Sequence, residues 1–376
     1  MEKQNKIPEI LLVTRPLTPP WDEASKNFAY LLAKNLDQCH FHILVGKQDP
    51  RLLKHITQHQ IYRGSSWTTF QKTKLVLKLF MILKKNPQIK IVHFLFAPTP
   101  FNTRILKNLI SVFPIKVVQT VARIYEYNKQ KMGSLLFADK IIVYSKHTAD
   151  QLNEIEKKKI ELIPPFIEYN DFPLTKKSER EKLRKKWSLE ENDKVILYPG
   201  EYSRLGALDT LWQGFLLLKS RVPGLKLYLA CRIKNREDQK EENRFKKIVS
   251  SLHLSSQVNF TGKVSHIREL YTISDLVVFP VNSMEGKFDF PFVLLEALSC
   301  GVPVLTSNIS ALPEIWDKDR DSLKSFTFPA GDSKLFAAAA LRLLKYGARK
   351  DLNEYVQMRF SKDEVLEKYY NLYKNI

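Results

Sequence analysis

Short unbroken apolar blocks alternate along this chain with longer stretches whose apolar positions fall at helical spacing. The blocks predict buried strands and the stretches predict amphipathic helices. Glu9 to Thr14 (EILLVT) is the first strand, followed by a helix from about Ala24 to Leu36 and a second strand from Phe41 to Gly46. A helix over Phe70 to Lys85 follows, with Leu75, Leu79, Ile82 and Leu83 on one face and lysines 72, 74, 78, 84 and 85 around them. Strands Ile89 to Phe96 and Ile115 to Val121 flank a helix near Asn102 to Val112. Strand Ala138 to Ser145 then leads into a helix from about Lys146 to Ile155. Such alternation predicts a parallel sheet wrapped by helices, an α/β domain over residues 1–172.

Residues 173–192 are charged and predict a connection, partly a helix carrying Trp187. A second alternation starts at Lys194 and fills a second domain over 173–376. Its elements are VILYPG, a helix through Leu208 to Ser220, LKLYLAC, a helix through Glu241 to Leu252, VNFTG and a helix around Ile267 to Ile273. There is no internal repeat. The last helix, about Lys362 to Tyr373, gathers Val365, Leu366, Tyr369, Leu372 and Tyr373 on one face.

The stretch from Asp275 to Glu314 organises the second half. Asp275 opens the strand DLVVFP, Val281 to Asp289 is a polar loop, and Pro291 to Cys300 is a helix closed by Gly301 before strand Val302 to Thr306. Asp289 suits the cap, Pro291 the first turn, and Gly301 a left-handed exit. In open parallel sheets such a loop lies at the carboxyl edge of the strands, where ligands bind, and a helix start there favours an anion. Glu296 stands inside an otherwise apolar helix. Its carboxylate either accepts hydrogen bonds from a vicinal diol such as a ribose or is a solvated acid.

Asp275 in ISDLVVFPV, the helix VLLEALSCGVPV, the trailing LPEI and the upstream VNFTGKV together resemble the retaining GT-B glycosyltransferases of family four, the glycosyl transferases group 1 type. ADKIIVYSKHTADQL and LIPPFIEYNDF extend the resemblance to most of the chain. It implies two Rossmann-like domains facing across a cleft. The first would hold the acceptor and the second the donor, with the last helix crossing back to the first. The implied reaction moves a sugar from a nucleotide-sugar, most often UDP-linked, to a hydroxyl with retention and without a metal or other cofactor. Such enzymes carry two acids spaced E-x7-E. Glu296 matches the ribose acid, whereas Phe288 occupies the other position and Asp289, one residue later, takes the sugar contact.

The loop after VILYPG supplies Gly200, Ser203 and Arg204, and Glu201 stands where relatives usually have an arginine. A glycine after a strand lets backbone approach a ligand, and an arginine clamps a diphosphate with two prongs. Arg204 is the only basic residue of that loop, so Arg232 or Lys234, beyond LKLYLAC, complete the charge. Arg204, Asp289 and Glu296 are the expected catalytic set. Gly200, Ser203, Arg232, Lys234, Lys287, Phe290, Pro291, Phe292 and Val293 are the expected donor contacts. In the first domain Pro16, Pro19 and Pro20, followed by Trp21, Asp22 and Lys26, replace a glycine-rich turn. Ala122 and Arg123 stand where relatives often carry a histidine, which leaves Arg123 as the acceptor-side residue.

Composition narrows the alternatives. The chain is 44 % apolar and 27 % charged, globular in character, with a formal charge of +20. Residues 1–170 hold 26 Lys and Arg against 13 Asp and Glu, and no acid occurs between Asp49 and Glu126. A field of one sign attracts nucleic acid, anionic lipid or a phosphorylated substrate. The sequence has no apolar run of membrane-spanning length and no signal-peptide core, so a cytoplasmic protein is expected, peripheral on the inner face of a membrane. The acceptor is then a lipid-linked or anionic glycan. Cys39, Cys231 and Cys300 read as reduced core thiols. His55 and His59, four apart on an expected helix, and His40 and His42 lack a third metal ligand and read as surface histidines. GxxxxGK[ST], GxGxxG and nucleophile-elbow motifs are absent, which removes the usual support for kinases, dehydrogenases and hydrolases. Two rival readings stay open: a nucleotide-sugar-binding protein with weakened catalysis, and a nucleic-acid-binding protein. The second rests on charge alone and lacks interleaved aromatic and basic motifs, so no nucleic-acid partner is expected.

Overall fold

The computed structural model describes residues 7–19, 23–49, 53–61, 69–96, 99–124, 132–156, 159–264, 266–316, 326–345 and 349–376. Pro20, Trp21, Asp22 and the side chain of Lys72 lie outside the described residues. The chain divides into two compact units, one of residues 1–167 with 361–376 and one of residues 168–360. The boundary thus falls a few residues before Phe172, and the last sixteen residues belong to the first unit.

Unit 1 is built on seven parallel strands: β1 (Glu9–Val13), β2 (His40–Val45), β3 (Ile56–Gln60), β4 (Ile91–Phe94), β5 (Lys116–Val121), β6 (Lys140–Val143) and β7 (Ile160–Leu162). Their order is β3-β2-β1-β4-β5-β6-β7. β1 lies between β2 and β4, and its residues Ile10 to Val13 are at most 1 % exposed, which is why they read as an unbroken apolar run. Ser145 ends the block ADKIIVYS by accepting the Thr148 amide at 3.0 Å, so the next helix, Lys146–Glu156, starts where expected.

The segment carrying His55 and His59 is a correction. It forms the edge strand β3, whose sequence ITQHQ has one apolar residue and no block to betray it. His55 bonds the Ala33 carbonyl oxygen at 2.9 Å. His42 is buried, not superficial, with Nδ1 2.9 Å from His59 Nε2 and Nε2 3.0 Å from Glu9 Oε2. Burial lowers the pKa of both rings, that of His59 to about 4.

The helix Lys362–Asn375 packs into unit 1 through the face read from the sequence. Tyr369 and Tyr373 are buried, with Tyr369 6.0 Å from the Phe28 ring. His93 on β4 is fully buried and lies 2.7 Å from the Tyr373 hydroxyl and 2.7 Å from Thr120 Oγ1. Burial pushes the pKa of this imidazole down to about 3.

Unit 2 has six parallel strands: β8 (Lys194–Tyr198), β9 (Leu225–Leu229), β10 (Val258–Phe260), β11 (Leu276–Phe279), β12 (Val304–Ser307) and β13 (Thr327–Phe328). Their order β10-β9-β8-β11-β12-β13 reverses direction between β8 and β11. Loops leaving those two strands open at a switch point, the place where open sheets bind ligands. At the other end of β11, Asp275 fastens the sheet. Its carboxylate accepts the Val195 amide at 2.8 Å and Arg180 Nη2 at 3.0 Å, with Arg184 Nη1 and Lys194 Nζ each at 3.6 Å. Arg180 and Arg184 come from the connecting helix Lys177–Lys186 and also donate to the carbonyl oxygens of Thr272, Ser274, Ile273, Glu190 and Asp193. Asp275, prominent in the family-like motif, is therefore a structural knot.

Two further helices, Ser333–Leu343 and Lys350–Arg359, complete the unit. The three cysteines are buried free thiols, each pushed up to about 12 by burial.

Candidate active site

Three loops at the carboxyl edge of the unit 2 sheet meet around one carboxylate. The first leaves β8. Tyr198, the last strand residue, turns its ring under the loop, where its hydroxyl donates to the Glu201 carbonyl oxygen at 3.0 Å and accepts the Glu201 amide at 3.2 Å. A Cβ at position 200 would lie 1.9 Å from Tyr198 Cζ, so only glycine admits this close approach. Sequence reading placed Gly200 against a ligand. The structure shows a local reason for this glycine.

Glu201 is held with its side chain 3 % exposed. Arg204 donates to it through Nε at 2.9 Å and Nη2 at 2.8 Å, a two-pronged pair. Lys287, from the loop after β11, lies 2.8 Å from Oε1, and Lys234, from the loop after β9, also donates to Oε1. Burial alone would raise the Glu201 pKa, but Lys287 and Lys234 outweigh it and hold the carboxyl at about 2. Burial lowers the Lys287 pKa, and Glu201 opposes that shift. The cations stay accessible, with side chains 39 % (Arg204), 31 % (Lys234) and 23 % (Lys287) exposed. Three positive groups thus surround a buried negative one.

Asp238 sets the spacing of two of these loops. It stands in the first turn of the helix Arg236–Ser251, whose cap Asn235 accepts the Asp238 amide at 2.8 Å. Its carboxylate accepts Ser203 Oγ at 2.7 Å and the Lys234 amide at 3.1 Å. Ser203, expected at the donor, therefore ties the β8 loop to the β9 loop. Arg232 lies in the same β9 loop and is half-buried.

The helix after the β11 loop runs Phe292–Ser299 with Pro291 as its cap, so Pro291 stands just outside the helix and not in its first turn. Gly301 has φ +80°, the left-handed exit that its residue type suggested. Asp289 is 1 % exposed. Phe290 packs its ring 5.1 Å from Phe360, and Phe288 stands edge-on to Phe292 at 5.8 Å, so these rings anchor the loop. Val293 is half-buried.

Glu296 is half-buried and accepts the Tyr271 hydroxyl at 2.8 Å. Burial raises its pKa to about 7; the Tyr271 bond lowers it and the nearby Asp171 charge raises it. Among the described residues it shares no hydrogen bond or ion pair with Arg204, Lys234 or Lys287. Tyr271, Tyr198 and Asp238 went unnoticed in the sequence, because nothing local marks a residue whose role is to orient a neighbour from another loop. Arg123 is half-buried in unit 1, two residues past β5, beside Ala122. Among the described residues, no group of three or more His, Cys, Asp or Glu is placed to hold a metal ion.

Solved structures share this architecture over nearly the whole chain. A glycosyltransferase from Rickettsia africae superposes with TM-score 0.76 at 20 % identity, covering 98 % of each chain. Anabaena HepE, crystallised with UDP and glucose, gives TM-score 0.76 at 15 % identity, covering 98 % of this chain and 100 % of its own. The fold is therefore that of the GT-B class, two parallel-sheet α/β units in one chain. Residues 179–359 match the family model described as "Glycosyl transferases group 1". Among curated relatives, the N-acetyl-alpha-D-glucosaminyl L-malate synthase of Bacillus anthracis is 24 % identical over 64 % of this chain; the match spans 60 % of that protein's length, under two thirds.

Proposed function

We propose that this chain transfers a sugar from a nucleotide-sugar, UDP-linked, to a hydroxyl acceptor with retention of configuration. The observation that carries this reading is the convergence of Arg204, Lys234 and Lys287 from three strand ends, all accessible, at the switch point of the unit 2 sheet. Fixed positive groups at the position where a diphosphate leaves stabilise the charge that develops there. They supply the neutralisation that a divalent ion provides in other enzymes. The similar Anabaena HepE, crystallised with UDP and glucose, supports the same donor class.

Glu296 takes the ribose hydroxyls in this reading, with Tyr271 fixing one carboxylate oxygen. Glu296→Gln should weaken UDP binding by about 1.5 to 3 kcal/mol, as for a lost charge-assisted hydrogen bond. The pKa near 7 adds a second signature. A raised carboxyl pKa favours folding below its ordinary range and forfeits that stability as pH rises through about 7, whereas a diol prefers the ionised form. UDP-glucose, whose phosphates do not titrate in this range, should therefore bind the parent more tightly as pH passes 7, and the Gln variant should lose that rise. Calorimetric titration at pH 6 and 8 measures both effects. Equal affinities in parent and variant would remove Glu296 from the site.

The acceptor we assign is a lipid-linked or otherwise anionic glycan, reached from the inner face of a membrane. In the helix Thr69–Lys85, Leu75, Leu79 and Leu83 are buried in the unit 1 core and are not available to lipid. A different set faces outward: Leu77, Phe80 and Met81, with Val112 after the helix Pro100–Ile110 and Phe80 meeting Phe113 edge-on at 5.4 Å. Lys74, Lys78, Lys84 and Lys85 are exposed on the same helix. No helix among the described residues is long and apolar enough to cross a membrane, so the proposed mode is surface attachment. Each basic residue near an anionic leaflet contributes about 1 kcal/mol. Co-sedimentation with phosphatidylserine vesicles should weaken as salt rises and fall sharply when Lys72, Lys74 and Lys78 become Glu. Vesicle binding that ignores both changes would leave a water-soluble acceptor.

A further inference from the structure

Three cations converge on Glu201. The side chains also differ in access: the carboxylate is 3 % exposed, while each cation keeps an open side. An anion approaching from solvent meets three positive groups in front and one fixed negative group behind.

We propose that Glu201 sets the charge of this anion site, lowering it from three positive groups to a net of two, and thereby limits how tightly the site holds the freed nucleoside diphosphate. The inference rests on the donor reading above. In that reaction the bond from sugar C1 to the β-phosphate oxygen breaks and its electron pair stays on the phosphate. The acceptor oxygen bonds to C1 and its proton passes to solvent. A diphosphate diester with two negative charges becomes a terminal phosphate with up to three, because the new phosphate group ionises near pH 6. Every added negative charge is attracted by Arg204, Lys234 and Lys287 and repelled by Glu201. Without the carboxylate, product would gain more affinity than donor and leave more slowly.

Glu201 faces Lys287 from the β11 loop, Lys234 from the β9 loop and Arg204 from its own loop, with Asp238 and Cys231 on the neighbouring elements. Lys287 and Lys234 keep it ionised through the neutral range. The titrating partner is therefore the ligand.

The test compares UDP with UDP-glucose on the full chain by calorimetry, in the parent and in Glu201→Gln, Glu201→Asp and Lys287→Gln. Glu201→Gln should shift the ratio of affinities toward UDP by about tenfold at pH 7.5, the effect of one unscreened charge at short range. The shift should shrink at pH 5.5, where the terminal phosphate is largely protonated. Glu201→Asp should keep the parental ratio even where both ligands bind more weakly, and Lys287→Gln should move the ratio the opposite way. In turnover, Glu201→Gln should lower kcat more than kcat/KM, with added UDP inhibiting more strongly. A ratio unchanged in Glu201→Gln and in Lys287→Gln, with both ligands equally weakened, would make Glu201 only a strut for its neighbours and overturn the inference while leaving the donor reading intact. A parent that binds neither UDP nor UDP-glucose would overturn both.

Discussion

Replacing Arg204 by alanine should lower sugar transfer, or slow donor hydrolysis, by about a hundredfold, the loss expected for one strong electrostatic donor at a leaving group. Arg204 is the only member of the cation set that grips Glu201 with two nitrogens, and 39 % of its side chain remains accessible. The change should fall mainly on kcat, because the diphosphate gains charge as the glycosidic bond breaks. Transfer by the parent should survive EDTA. Restoration of either protein by manganese alone would transfer the neutralising role from these side chains to a metal ion.

Asp275→Ala should destabilise unit 2 by about 3 to 5 kcal/mol, the range for breaking a buried ion pair and leaving its partner uncompensated. Arg180 and Arg184 would keep their carbonyl partners but lose the carboxylate, and the Val195 amide would lose its acceptor. Trp187, Trp212 and Trp316 all lie in this unit and report its urea transition by fluorescence. A midpoint within experimental scatter of the parent's would show that solvent replaces the carboxylate without loss. Neither Glu201 nor Lys287 touches Asp275, so donor affinity of the folded variant should stay close to the parent's.

These two predictions mark how far the sequence alone can be read. Strand β1 is recoverable because each of its buried neighbours demands an apolar side chain, and an unbroken block is visible in one dimension. Strand β3 is not, because an edge strand with the sequence ITQHQ follows its partner's register and not its own pattern. The exposed Leu77 and Met81 were obscured by the buried leucines of the same helix: both sets lie at helical spacing, and only packing separates them. At the site, Arg204 and Lys234 were visible as basic residues past strand ends. That Glu201 joins them to Lys287 depends on two loops, 33 and 86 positions further along the chain, being brought to its own loop by strand order. The glutamate therefore looked like a missing arginine, although it is the centre of the set.

The return of the last helix to unit 1 has a consequence for how the chain is made. Tyr169, at the start of unit 2, donates its hydroxyl to the carbonyl oxygens of Val356 and Phe360 at its end, so the two passages of the chain are stapled side by side. Topologically, unit 2 is an insertion into unit 1. During synthesis from the N-terminus, the inserted unit precedes Tyr369 and Tyr373, so the partner that covers His93 is translated only after the whole of unit 2. A chain that stops at residue 360 would carry a complete guest and an incomplete host.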